Sequence, residues 1–149
     1  MKQRRIIPPV YFLISLLLMF LLHYLFPIAD IIPRPYNYSG IVFIIVGIIF
    51  GATPPRLFIK AKTTLHPFEE PEQLVTEGVY RYSRNPMYLA LALVLIGTSL
   101  LQGCLSSFFI IPFFVWTITN RFIINEEKKL ERRFGGDYLR YKQKVRRWI

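Results

Sequence analysis

Charged side chains are missing from three long stretches of this chain, and nothing else in the sequence constrains the fold as tightly. Residues 6–29 carry none, nor do 35–55 or 85–120. A hydrocarbon core about 30 Å thick needs about 20 apolar residues at ~1.5 Å rise each, so the first two stretches, of 24 and 21 residues, each read as a transmembrane helix. The third, of 36 residues, is too long for one crossing and is interrupted by Leu101-Gln102-Gly103-Cys104-Leu105-Ser106-Ser107. This predicts a helical hairpin, with arms at 87–101 and 105–119 that are short enough to imply tilt or local thinning of the bilayer. A signal peptide fits the first stretch less well, because the apolar run is long and Phe26-Pro27-Ile28-Ala29-Asp30 lacks a small-residue cleavage pattern.

The expected architecture is a single all-α membrane domain over 1–149. It has four transmembrane helices at 6–29, 37–55, 87–101 and 105–119, a loop at 56–86 and an amphipathic helical tail at 120–149. Composition agrees: 53% of residues are hydrophobic and 19% charged, against about 25% charged in ordinary soluble domains. Disorder is excluded and a compact water-soluble fold is disfavoured. The net charge of +10 could serve nucleic acid, an anionic ligand or an anionic membrane face. Of the nineteen Lys and Arg, all but Arg34 fall at the first span's start, in the 56–86 loop or in the tail. The bias of cations toward the cytoplasm then predicts a multi-pass cell-membrane protein with both termini cytoplasmic. Topology and anionic lipid account for the charge, and no nucleic-acid partner is required. Cys104 is the single cysteine, so no internal disulfide can form, and with only His23 and His66 beside it no metal site is expected.

In the tail, Leu130, Phe134, Tyr138, Tyr141, Val145 and Trp148 recur every three or four residues with Lys and Arg between them. On spacing alone this is an interfacial amphipathic helix drawn to anionic lipid. Gly135-Gly136 is expected to break it after Phe134, and Asp137 to cap a second helix. The loop holds Thr63-Thr64-Leu65-His66-Pro67, an acidic Glu69-Glu70-Pro71-Glu72 and a run rich in Tyr, Val and Leu. A loop this long in a small membrane protein is commonly functional.

Two motifs carry a resemblance. Leu74-Val75-Thr76-x-Gly78-x-Tyr80-x-x-x-Arg84-Asn85-Pro86-x-Tyr88 is followed by Glu126-Glu127-x-x-Leu130-x-x-x-Phe134-Gly135-x-x-Tyr138-x-x-Tyr141-x-x-x-Val145. The pair, covering roughly the C-terminal 60% of the chain, resembles the integral-membrane methyltransferases: the isoprenylcysteine carboxyl methyltransferases and the related phospholipid methyltransferases. The form Arg84-Asn85-Pro86, where the eukaryotic enzymes usually have Arg-His-Pro, is associated with prokaryotic members. The resemblance implies an enzyme that binds S-adenosyl-L-methionine on the cytoplasmic side, between loop, last span and tail. The acceptor it implies is a lipid-like or prenylated small molecule bearing a carboxylate, amine or thiol. Leu74, Val75, Gly78, Tyr80, Arg84, Asn85, Pro86, Tyr88, Glu126, Glu127 and Tyr138 are its implied cofactor residues. Arg84, Glu127 and Arg121 are its catalytic candidates, Arg121 being displaced, five positions before Glu126, from the arginine that holds substrate in the family.

The residues themselves leave alternatives open. Arg84 can bind an anion or anchor a lipid headgroup, and Tyr80 and Tyr88 can meet an adenine or belong to an interfacial aromatic belt. Glu126 and Glu127 can accept hydrogen bonds from ribose hydroxyls or form a solvated helix end. Gly78 suits positive φ, a close backbone approach or an ordinary turn. Asn85 hydrogen-bonds as an imidazole does but does not titrate, which suits positioning and not proton transfer. His66 reads as a loop residue and His23 as a contact between helices. Two other classes stay in view: a membrane reductase of the sterol-reductase type using NADPH, and a non-enzymatic membrane adaptor or transporter. No reading of the sequence settles the oligomeric state.

Overall fold

A computed structural model describes residues 7–60 and 73–149. His66 and the acidic run at 69–72 lie outside the described residues. Helix α1 spans Pro8–Leu25, with proline in its first turn where no amide donor is needed. Phe26 caps it, its N–H donating to Leu22 O, and Pro27 beyond the cap prevents its continuation. Helix α2 spans Ser39–Lys60 after a 3-10 turn at Tyr36–Tyr38. It runs through Pro54 and Pro55, past the expected boundary at 55. The extension carries Leu57 into an apolar cluster with Tyr80, Tyr138 and Tyr141, and that packing outweighs the two missing amide donors.

Helix α3 spans Pro86–Gln102 and closes on Gly103 in the left-handed conformation. The expected turn is there: Ile31 and Ile32 N–H donate to the Gly103 carbonyl at 2.8 and 3.2 Å, and Leu105 N–H donates to Ala29 O at 2.9 Å. The chain then continues as α4 (Leu105–Phe108), α5 (Ile110–Ile118), a π-helical turn (Thr119–Ile123) and α6 (Ile124–Phe134). The expected boundary between span and tail at 119/120 therefore does not exist as a break. The π turn carries the helix on, and Glu126 and Glu127 sit on the same apolar run, Leu105–Phe134, as Phe114 and Ile118.

Three helical segments, Pro8–Leu25, Tyr36–Leu57 and Leu105–Phe134, are long and apolar enough to cross a membrane. The apolar α3, at 17 residues, is shorter. Among the described residues the architecture is all-helical, with one isolated antiparallel bridge between Asp30 and Cys104. Helix α2 lies along α3, while α1 packs on α3, α4 and α5. The α2–α3 contact is backbone to backbone: a Cβ on Gly97 would stand 2.5 Å from the Gly40 carbonyl oxygen, and one on Gly47 would stand 2.9 Å from that of Ala90. Small residues permit such an approach between helices that have little hydrophobic drive to associate in lipid. Met19, Leu95, Phe114, Ile118 and Ile123 fill the centre of the bundle.

Candidate active site

The site forms where a polar cap meets one end of the bundle. After α6 the chain turns at Gly135 (φ +48°) and resumes as α7, Gly136–Lys144. The break falls where expected. The cap by Asp137 does not: Gly135 holds the cap position without a side-chain bond, and Asp137 lies inside the helix, paired with Arg140 one turn on. The six-residue apolar stripe meets protein along its length. Tyr138, Tyr141 and Val145 are buried with Tyr80, and Leu57, Leu74, Val75, Val79, Leu130 and Phe134 pack around them. Trp148 reaches the bundle core. This corrects the reading of the stripe as a lipid-facing surface. The periodicity is the same for either partner, and the Gln73–Arg84 segment supplies the covering surface.

The cap closes a cavity of about 720 Å³. Its walls come from the start of α1 (Ile7, Pro8, Pro9, Phe12), the middle of α2 (Gly47, Ile48, Gly51), the N-terminal half of α3, and α6 and α7. Arg84 and Glu127 mark its polar end, paired at 3.2 Å with side chains 8% and 7% exposed. Arg147 approaches the same carboxylate from the other side, with Nε 3.1 Å from Oε1 and Nη2 2.7 Å from Oε2. Two guanidinium groups therefore share one buried carboxylate, and the cluster keeps a net positive charge. Eight buried side-chain polar atoms among the described residues lack a hydrogen-bond partner, and three of them, Arg84 Nε and Nη1 and the Tyr138 hydroxyl, belong to residues that line this cavity. Such groups are costly in a finished core, and their convergence on one cavity marks a place that expects a ligand.

Neighbouring groups are committed. The Tyr88 hydroxyl donates to Glu126 Oε1 at 2.7 Å, Tyr141 OH donates to the Tyr80 carbonyl at 2.7 Å, and Asn85 Nδ2 donates to Arg147 O at 3.0 Å. Burial pushes the Tyr138 hydroxyl up to about 12; the Glu127 charge adds to the rise and Arg84 opposes it. Burial likewise raises Tyr80 and Tyr141, each helped by a neighbouring tyrosine. The Glu127 hydrogen bond raises Arg147. Near neutral pH the three phenols are therefore neutral donors beside fixed charges.

Of the residues singled out from sequence, Leu74, Val75, Tyr80, Arg84, Asn85, Pro86, Tyr88, Glu126, Glu127 and Tyr138 all line this cavity. Gly78 does not; it takes positive φ (+59°) at the foot of the cap, where a Cβ would meet Leu57 at 3.0 Å. Arg121 lies in the π turn, exposed and away from the cavity walls. Sequence reasoning missed Arg147, Tyr141 and the α1 and α2 walls. Tyr141 carried a signal, since it follows Tyr138 by three on the buried stripe. Arg147 carried none beyond being one more basic residue.

A family model described as phospholipid methyltransferase matches residues 36–137. A probable protein-S-isoprenylcysteine O-methyltransferase of Oryza sativa subsp. indica is 30% identical over 113 residues, 73% of this chain and 58% of the rice protein. The protein-S-isoprenylcysteine O-methyltransferase of Schizosaccharomyces pombe is 35% identical over 72 residues, 48% of this chain and 30% of the yeast protein. An uncharacterized protein of Haemophilus influenzae is 43% identical over 63 residues, which is 42% of this chain and all of that protein. The chain thus spans little more than half of the rice enzyme and less of the yeast one. No solved structure matches it.

Proposed function

The chain belongs to the phospholipid methyltransferase family, and on that premise we propose that it is a membrane-embedded methyltransferase that uses S-adenosyl-L-methionine and a lipid-like or prenylated acceptor. The observation that carries the reading is the set of unspent buried donors, Arg84 Nε and Nη1 and the Tyr138 hydroxyl, at the polar end of a largely apolar cavity. About 720 Å³ lies within the range of roughly 300–1,000 Å³ typical of small-molecule sites. A guanidinium with two free N–H groups suits a carboxylate, and Tyr138 stays protonated to donate beside it. Glu126, oriented by Tyr88, offers an acceptor for hydroxyl groups. The residues present therefore fit the cofactor.

When bound, S-adenosyl-L-methionine supplies an electrophilic methyl group on a sulfonium. Transfer to the acceptor would form its bond to that carbon as the carbon–sulfur bond breaks, with a neutral thioether as the leaving group. A carboxylate or thiolate acceptor needs no base for this, so the protein's task is alignment and exclusion of water. Arg84 and Tyr138 hold the polar end. Phe12, Leu91 and Val94 keep the apolar end dry, and the walls from α1 and α2 belong to helices whose outer faces are apolar, which suits an acceptor entering sideways from the bilayer. With α3 counted as a fourth crossing, both ends of the chain and the cap lie on the cytoplasmic face.

Calorimetric titration of the purified protein in lipid nanodiscs tests the cofactor: saturable binding is expected, and its absence in folded protein overturns the proposal. Transfer of labelled methyl into lipid extract or prenylated thiols then identifies the acceptor.

A further inference from the structure

The segment after α7 closes on the site through both its main chain and one side chain. Arg84 N–H donates to Arg146 O at 3.0 Å, Ser83 Oγ donates to Arg147 O at 3.3 Å, and Asn85 Nδ2 donates to the same carbonyl at 3.0 Å. Val145 and Trp148, on either side, are packed into the cap and the bundle core. The clasp delivers the Arg147 guanidinium to Glu127, where it engages both carboxylate oxygens at 3.1 and 2.7 Å. Arg84 reaches one of those oxygens through Nη2 alone, at 3.2 Å.

That division of contacts has a chemical consequence. A buried arginine beside a buried carboxylate ordinarily forms a two-pronged pair, because the planar fork matches the two oxygens. Here Arg147 occupies both oxygens, and Arg84 keeps Nε and Nη1 buried and unspent. Arg147 is also the better solvated of the two, its side chain 37% exposed against 8% for Arg84, so the partner with access to water takes up the carboxylate and the enclosed one faces the cavity.

We propose that Arg147 is a positioning residue: by saturating Glu127 it keeps the Arg84 fork free for the anionic group of the ligand. Without Arg147, Glu127 draws Arg84 into the two-pronged pair and the ligand must compete with it. The inference rests on the cofactor reading above and deepens it by assigning a residue that acts on the site from outside the cavity.

The test is calorimetric binding of S-adenosyl-L-methionine to the full chain in nanodiscs, for wild type, Arg147→Ala, Arg147→Lys, Glu127→Gln and the double variant Glu127→Gln/Arg147→Ala, with melting temperatures for all. Arg147→Ala is expected to weaken binding by about tenfold, the size usual for coupled neighbours in one ionic network. Arg147→Lys, which brings the charge but no fork, is expected to fall between it and wild type. In the Glu127→Gln background the alanine substitution is expected to add no further loss, because its action runs through that carboxylate. A purely structural clasp would instead give a loss that tracks the melting temperature and persists undiminished in the Gln background, which overturns the proposal. Wild-type affinity in Arg147→Ala overturns it too. Should that variant not fold, Arg147→Lys decides: weaker binding at unchanged melting temperature supports the role, and wild-type binding overturns it. Failure of wild-type protein to bind overturns the cofactor reading itself, and this inference with it.

Discussion

In the bundle, apolar side chains face outward as well as inward: Leu13, Leu17, Ile48 and Phe113 are exposed while Met19, Leu95 and Phe114 are buried. In the cap, the buried side of α6 and α7 is apolar or aromatic apart from Glu127, and the other side carries Lys128, Arg132, Arg133, Arg140 and Lys144. Along the middle of the bundle, polar groups serve their own helix, as Thr98 Oγ1 does with Val94 O at 2.8 Å and Thr119 Oγ1 with Val115 O at 2.7 Å, since lipid offers no other partner. At the end away from the cap they join segments, Asn37 Nδ2 donating to Leu101 O and Ser106 Oγ to Leu22 O. In the cap and at its seam, polar groups join separate segments: Tyr141 to Tyr80, Asn85 to Arg147, Arg84 to Glu127. The seam between these two regimes is where a charged, incompletely satisfied cluster can be held, and there the candidate site lies.

The comparison breaks hardest at Glu127. Removing a buried carboxylate strands Arg84, and loss of one partner of such a pair typically costs ~3–5 kcal/mol. Glu127→Ala is therefore expected to unfold the cap or sharply lower the melting temperature in nanodiscs, while an exposed pair such as Arg140 with Asp137 should tolerate Arg140→Ala with no measurable change. Equal effects at the two sites would contradict the distinction drawn between seam and surface.

Bundle packing is probed at Gly97. A leucine there must push α2 from α3, and overpacking of this kind commonly costs ~1–3 kcal/mol. Protease susceptibility of the loops and the melting temperature are the measurements. If Gly97→Leu melts like wild type, the backbone contact with Gly40 does not hold the helices together.

Within the cap, two tyrosines separate binding from stability. Tyr141→Phe loses the bond to the Tyr80 carbonyl and should cost about 1 kcal/mol. Tyr138→Phe removes a hydroxyl that lies beside Arg84 without a well-formed hydrogen bond, so stability should hold or rise by up to ~1 kcal/mol while cofactor affinity falls. Denaturant unfolding beside calorimetric binding distinguishes them. A Tyr138→Phe variant that loses stability and keeps affinity would reverse the assignment.

The smallest effect near neutral pH belongs to titration of Tyr138. Its folded value, about 12, lies above the ordinary 10.0, so the folded state favours the proton. That contribution to stability is complete below pH 10 and is lost as pH rises through 12. Burial raises Tyr80 and Tyr141 as well, so phenolate absorbance followed alongside unfolding should show several tyrosines ionising late, and one fewer of them in Tyr138→Phe than in wild type.

Much of this was legible in residue order. The three uncharged stretches located the apolar helices, because a charge in hydrocarbon is expensive wherever it stands. The Gly103-Cys104 turn and the break after Phe134 followed from glycine and polarity at those points. Ten of the implied site residues converge on one cavity because they belong to two short motifs, one running into the start of α3 and the other through α6 into α7, that meet where Tyr88 bonds Glu126. Arg121 stays outside because the π turn sets the rotation of the helix at that point, a phase that residue spacing does not reveal. The length of α2 was misjudged for a similar reason: Pro54 and Pro55 argue locally for a stop, and Leu57 finds its partners only in a remote segment.

Sequence by itself thus determined which stretches are long and free enough of charge to cross a membrane, since the absence of charge is a local property of each stretch, and it determined the chemical class of the residues offered for the site. Tertiary structure alone decided what covers the stripe of Leu130, Phe134, Tyr138, Tyr141 and Val145, because a helical period of 3.6 names a face and not its partner. It alone decided, too, that Arg147 takes both oxygens of Glu127 and leaves Arg84 free. How one carboxylate is shared between two arginines depends on distances between segments far apart in the chain.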